Sequence, residues 1–144
     1  MLNTGSRISR SEKDTLDIAA GFAKTLRPGD VVALFGDLGM GKTVFVRGLA
    51  GGLDFDADQV CSPTFSLVNE YRAPGVPCLY HFDMYRVAGE DDLHSTGFYD
   101  YLDGEGILVI EWSENILHAL PEKAITVTIS PGDNETSRII AIDR

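Results

Sequence analysis

The chain has 144 residues, 44% hydrophobic and 24% charged, which suits one domain able to bury about two thirds of its unfolded surface around a single core. Twelve Lys and Arg face twenty-two Asp and Glu, for a formal charge of −10 and a pI near 4.5. An acidic surface repels phosphate backbones and argues against tight, unaided binding to nucleic acid, while leaving open a role on RNA through a basic partner. The segment Met1 to Arg10 has no apolar centre, so neither a signal peptide nor a membrane span is expected there. Cys61 and Cys78 lack CxxC spacing and read as thiols rather than a disulfide, and His81, His94 and His118 show no metal-ligand spacing with them.

In chain order, Ser9 or Ser11 is placed to cap a helix running to about Leu26, with Glu12 and Asp14 three residues further on. Leu16, Ala19, Ala20, Ala23 and Leu26 share one face of it. Pro28-Gly29 ends the helix, and Val31-Val32-Ala33-Leu34-Phe35 is a buried strand. That strand opens directly into Gly36-Asp37-Leu38-Gly39-Met40-Gly41-Lys42-Thr43, which satisfies the phosphate-loop pattern G-x-x-x-x-G-K-[ST]. Glycines let the backbone curl so that several N–H groups converge on phosphate oxygens, and the following helix adds the positive end of its dipole. Lys42 is placed to reach the β- and γ-phosphates and the Thr43 hydroxyl to hold Mg²⁺. A chance match is on the order of a few per thousand chains of this length, so the loop predicts a nucleoside triphosphate site.

The helix after the loop is expected to reach about Ala50 and stop at Gly51-Gly52. Residues 64–71 and 78–84 read as a hairpin about Pro74-Gly75-Val76-Pro77, and short helical turns fit 89–94 and 97–102. Ile107-Leu108-Val109-Ile110 is a second wholly apolar strand, and 125–129 with 138–142 forms a second hairpin. The sum is a single-domain, three-layer α/β fold of the P-loop NTPase kind, with parallel central strands flanked by antiparallel hairpins.

Asp83 and Glu111 each follow an apolar strand, at the carboxyl end where an open α/β sheet collects its ligands. Taken singly, such a residue is more often a solvated turn residue; beside a phosphate loop, at least one is expected to hold Mg²⁺, directly or through water. The strand before Glu111 is the more apolar, which favours Glu111. In Ser62-Pro63-Thr64-Phe65, Pro63 stiffens the backbone ahead of Thr64, which fits a γ-phosphate or Mg²⁺ contact and equally an ordinary turn that starts a strand. Trp112 beside Glu111 reads first as a core or rim aromatic.

Taken together, Gly36-Asp37-Leu38-Gly39-x-Gly41-Lys42-Thr43, Ser62-Pro63-Thr64-Phe65-x-Leu67-Val68-x-Glu70-Tyr71, Tyr80-His81-Phe82-Asp83-x-Tyr85-Arg86 and Ile110-Glu111-Trp112 resemble the bacterial TsaE (YjeE) family, in order and over nearly the whole chain. The resemblance implies a small cytoplasmic ATPase that uses ATP and Mg²⁺ and acts with TsaB and TsaD to install threonylcarbamoyladenosine beside the anticodon of tRNAs reading codons that begin with A. It implies that tRNA is met only through that assembly, that the transfer belongs to the TsaD-type subunit, and that this chain supplies an ATP-driven reset between turnovers. It also implies Lys42 and Thr43 on phosphate and Mg²⁺, and Glu111 as a metal ligand. Asp83 is implied as an essential acid near metal or water, Thr64 as part of a nucleotide-sensing loop, Trp112 as close to the site, and Ser11 and Glu12 as a border of the adenine. Met40 departs from a common Ala, outside the groups that do chemistry.

Two rivals share the loop. A small-molecule kinase fits the loop spacing but usually carries a lid of clustered arginines, and between Arg86 and Arg138 the only Lys or Arg is Lys123. A GTPase would need a D-x-x-G after a strand, whereas Asp103-Gly104-Glu105-Gly106 precedes one, and no N-K-x-D motif exists.

Overall fold

The computed structural model describes residues 5–37, 39–63 and 67–144. Seven strands form one sheet: β1 (Gly5–Ser9), β2 (Val31–Phe35), β3 (Val68–Tyr71), β4 (Leu79–Asp83), β5 (Ile107–Glu111), β6 (Ile125–Pro131) and β7 (Arg138–Asp143). Their order is β1-β7-β6-β2-β5-β4-β3. The centre β6-β2-β5-β4 is parallel, and β1–β7, β6–β7 and β3–β4 are antiparallel. Helices α1 (Glu12–Ala23) and α2 (Lys42–Gly52) lie on one face, and α3 (Glu90–Ser95) and α4 (Phe98–Leu102) on the other.

The unbroken apolar runs of β2 and β5 follow from this layering, since successive side chains point to opposite faces and both faces are covered. Val32, Leu34, Ile107 and Val109 pack with Phe22, Phe45, Val46 and Leu49 of α1 and α2. Val31, Leu108 and Ile110 pack with Leu93 and Phe98 on the far side. In β6 only Ile125, Val127 and Ile129 are buried, so that strand alternates with Thr126, Thr128 and Ser130.

Ser11, not Ser9, caps α1, its hydroxyl accepting from Asp14 N at 3.1 Å. Ser9 instead closes β1, bonding Thr15 Oγ1 at 2.6 Å. The helix ends at Ala23 rather than near Leu26, because Thr25 and Leu26 N–H reach back only three residues, to Phe22 and Ala23 carbonyls. Three elements escape sequence reading, the short 3₁₀ turn Ala57–Gln59 among them. β1 is an edge strand with four of five residues exposed and no apolar alternation, and Ser113–Ala119 is a 3₁₀ segment without helical periodicity. The expected strand 64–71 is shorter, as Leu67 has φ 63° and cannot continue it, while 64–66 lie outside the described residues.

Gly48 and Gly52 set the distance between α1 and α2. A Cβ on Gly48 would lie 2.5 Å from Leu16 O, and one on Gly52 2.6 Å from Ala20 O. We expect Gly48→Val to force the helices apart and cost about 2 kcal/mol, the middle of the range for overpacking. Thermal unfolding should register a loss of several degrees. An unchanged melting temperature would contradict the close packing.

Candidate nucleotide site

β2 ends against the loop at Gly36, where φ is 147° and an added Cβ would lie 2.6 Å from Ile129 O of β6. Only glycine lets the chain leave the sheet at that point. Gly41, at φ 95°, turns the chain into α2 without a side-chain cap, and no acidic residue occupies the first turn of α2. The first-turn amides of α2 therefore keep their affinity for an anion.

Around this turn lies a cavity of about 510 Å³ lined by residues of the loop, β4, β5 and the start of α1, among them Glu12, Lys42, Thr43, Asp83, Glu111 and Trp112. Lys42 is 5% exposed; its Nζ donates to Gly36 O at 2.5 Å and stands 3.6 Å from the centroid of the Trp112 ring. Burial lowers its pKa below the usual lysine range, against the pull of Glu114, Glu111, Asp83 and Asp37. Both of its present partners, a carbonyl and a π-face, are weaker than a phosphate.

Thr43 Oγ1 lies 2.9 Å from Ser62 Oγ and 3.3 and 3.4 Å from the Glu111 carboxylate oxygens. Parallel pairing sets Asp83 directly beside Glu111 at the ends of β4 and β5. The Asp83 carboxyl accepts from Tyr85 N at 2.9 Å, and its pKa is raised, first by burial and then by the Glu111 charge. Hydroxyl and carboxylate oxygens converging beside a phosphate loop are the hard donors that suit Mg²⁺. Thr43, Glu111 and Asp83 fit that ion as a set.

A second hollow of about 120 Å³ continues past Gly39, Gly41 and Val44 to Ser11, Glu12, Thr15, Met40, Thr136 and Arg138. Ser11 and Glu12 therefore do border the space beyond the phosphate loop. Thr136 and Arg138, which the sequence did not single out, come from the turn before β7 and the first residue of β7. Asp37 is exposed, and its carbonyl closes the loop by accepting from Met40 N at 3.3 Å. Leu38 and Thr64 lie outside the described residues, so their expected nucleotide contacts stay expectations.

Four further residues join the site through tertiary packing. Ser62 reaches Thr43; Glu114 accepts from Gly36 N at 3.1 Å; His81 bonds Glu111 at 2.6 Å; Tyr85 lies 4.9 Å from the Trp112 ring. Trp112 has φ 59° and ψ 42°, a left-handed conformation costing a bulky residue roughly 1–2 kcal/mol. It is a rim residue, half-buried, with its ring over Lys42. Arg86 is exposed and lines an adjoining hollow with Pro63 and Leu67, which shares Ser62, Asp83 and Tyr85 with the main cavity. Cys61 and Cys78 are both free thiols.

The family model described as "Threonylcarbamoyl adenosine biosynthesis protein TsaE" matches residues 9–140. The chain belongs to the TsaE family. It is 40% identical over 124 residues to the tRNA threonylcarbamoyladenosine biosynthesis protein TsaE of Rickettsia typhi, covering 86% of this chain and 85% of that protein. To the TsaE of Bacillus subtilis it is 43% identical over 119 residues, 82% of this chain and 71% of that one. The crystal structure of YdiB from the same organism superposes with a TM-score of 0.76 at 32% identity, over 99% of this chain and 86% of the other. The mixed sheet with a parallel centre is thus the fold of a solved relative.

Proposed function

We propose that this TsaE-family chain is a Mg²⁺-dependent ATPase that serves the synthesis of threonylcarbamoyladenosine in tRNA. One observation carries the reading: Lys42 and Thr43 at the start of α2, Asp83 at the end of β4 and Glu111 at the end of β5 line one cavity of about 510 Å³ at the carboxyl edge of the parallel sheet. The names of the relatives supply the pathway, and the site supplies the chemistry.

On this reading ATP lays its phosphates along the loop amides and the first turn of α2. Lys42 Nζ exchanges Gly36 O for phosphate oxygen and neutralises charge that builds on the β–γ bridge. Thr43 and Glu111 hold Mg²⁺, which when bound offsets the charge of the β- and γ-phosphates. Asp83 orients the attacking water and takes its proton, a role suited to a carboxyl whose pKa is raised by burial. The products are ADP and phosphate. The hydrolysis resets an assembly with TsaD and TsaB homologues, and tRNA is met only through that assembly, in keeping with a charge of −10. Among the described residues no helix is long and apolar enough to cross a membrane.

Substituting the two acids one at a time tests the reading. Glu111→Gln is expected to weaken ATP binding in Mg²⁺ by about tenfold or more while leaving binding in EDTA unchanged. Asp83→Asn is expected to lower phosphate release far more than ATP affinity. A titration paired with a phosphate-release assay reads both. The reverse pattern would exchange the roles, and loss of neither property would remove both residues from the site.

A further inference from the structure

His81 is the one polar residue in the middle of β4, and it is 0% exposed. It faces the same side of the sheet as Leu79, which packs in the α1–α2 core, and pairs in register with Val109. Packing alone gives no reason for an imidazole there, because burying a polar ring is unfavourable unless its nitrogens are bonded. Its Nε2 lies 2.6 Å from Glu111 Oε2. Its Nδ1 is buried without a hydrogen-bond partner.

Facing a carboxylate oxygen at that distance, Nε2 is the donor of the pair. The imidazole spends that hydrogen bond on Glu111 and makes no other among the described residues. The other contacts of that carboxylate, to Thr43 Oγ1 at 3.3 and 3.4 Å, are long. His81 is the only short anchor it has among the described residues.

We infer that His81 is a positioning residue that fixes the Glu111 carboxylate by holding Oε2, so that the carboxylate stays turned toward Thr43, whose Oγ1 lies 3.3 and 3.4 Å from its two oxygens, and toward the metal. The inference rests on the reading of Glu111 as a Mg²⁺ ligand. Outer partners of ligating groups commonly contribute ten- to a hundredfold in metal affinity. An apolar residue in the same space would leave the buried Glu111 carboxylate without its short partner, so some loss of stability is expected with it and the Mg²⁺ dependence of ATP binding is the readout that separates positioning from packing.

The test is a calorimetric titration with ATP at a series of Mg²⁺ concentrations, and in EDTA, using the full chain. In His81→Leu the Mg²⁺ concentration at half-maximal gain in ATP affinity should rise about tenfold or more. Affinity in EDTA should stay within about twofold, since His81 is not among the residues lining the cavity, while the melting temperature should fall because the buried Glu111 carboxylate loses its partner. His81→Gln, whose amide nitrogen reaches as far as Nε2, should recover most of the midpoint; His81→Asn, too short to reach, should behave like His81→Leu. An unchanged midpoint in folded His81→Leu or His81→Asn overturns the proposal, as does equal loss with Mg²⁺ and with EDTA, or failure of His81→Gln to improve on His81→Asn. A wild-type chain with the same ATP affinity in Mg²⁺ and in EDTA overturns the metal reading itself, and this proposal with it.

Discussion

Phosphate release by this chain is expected to rise about a thousandfold when the proposed TsaD and TsaB partners are added, from a slow basal rate. The reason lies in the charges around the cavity. Lys42 is the only Lys or Arg among the described residues that line it, against Glu12, Asp83 and Glu111. A loose phosphoryl transition state spreads charge over three equatorial oxygens, and NTPases commonly meet it with an arginine supplied in cis or in trans. Arg86, three residues past Asp83, is exposed and lines the neighbouring hollow instead. A cation brought by a partner fills the gap. Phosphate release and modified tRNA, counted per enzyme in a reconstituted mixture, read the effect. Fast hydrolysis by the isolated chain, indifferent to the partners, would contradict the coupling and mark a free-standing enzyme.

Lys42→Ala is expected to remove ATP-dependent activity while leaving the fold intact. A hydrogen bond to a charged group is worth about 1.5–3 kcal/mol, so ATP affinity should fall between tenfold and a hundredfold or slightly more. Hydrolysis should fall further, because the ammonium neutralises charge that grows in the transition state. Stability should barely change. Burial lowers the Lys42 pKa, which means the folded state disfavours its charged form, so deleting the ammonium gives up no net electrostatic stabilisation. The substitution removes one hydrogen bond to Gly36 O and the approach of the ammonium to the Trp112 ring. Circular dichroism and a melting curve check the fold, and phosphate release checks the chemistry. A folded variant that hydrolyses ATP at the wild-type rate would remove Lys42 from the site.

What the sequence made legible was whatever is local or periodic. The buried strands 31–35 and 107–110 announce themselves as unbroken apolar runs because each is covered on both faces. The phosphate loop is contiguous, so its pattern survives in one dimension. Asp83 and Glu111 stand out because strand ends are where such sheets gather ligands, and the register places them side by side. His81, Ser62 and Glu114 were not found as site residues, since each reaches its partner across the fold, 30 residues away for His81 and Glu111 and 78 for Glu114 and Gly36. The strand Gly5–Ser9 was missed for a different reason: its order comes from pairing with β7, not from any apolar alternation of its own.

Everything proposed for this chain depends on the turn between β2 and α2 binding ATP through Lys42, and an equilibrium titration of the isolated chain examines that dependence without any partner. Wild type and Lys42→Ala are each titrated with ATP in Mg²⁺ by calorimetry. One site per wild-type chain is expected, with an affinity at least about tenfold weaker in the folded variant. Absence of ATP binding to wild type, or equal affinity for both chains, would contradict it.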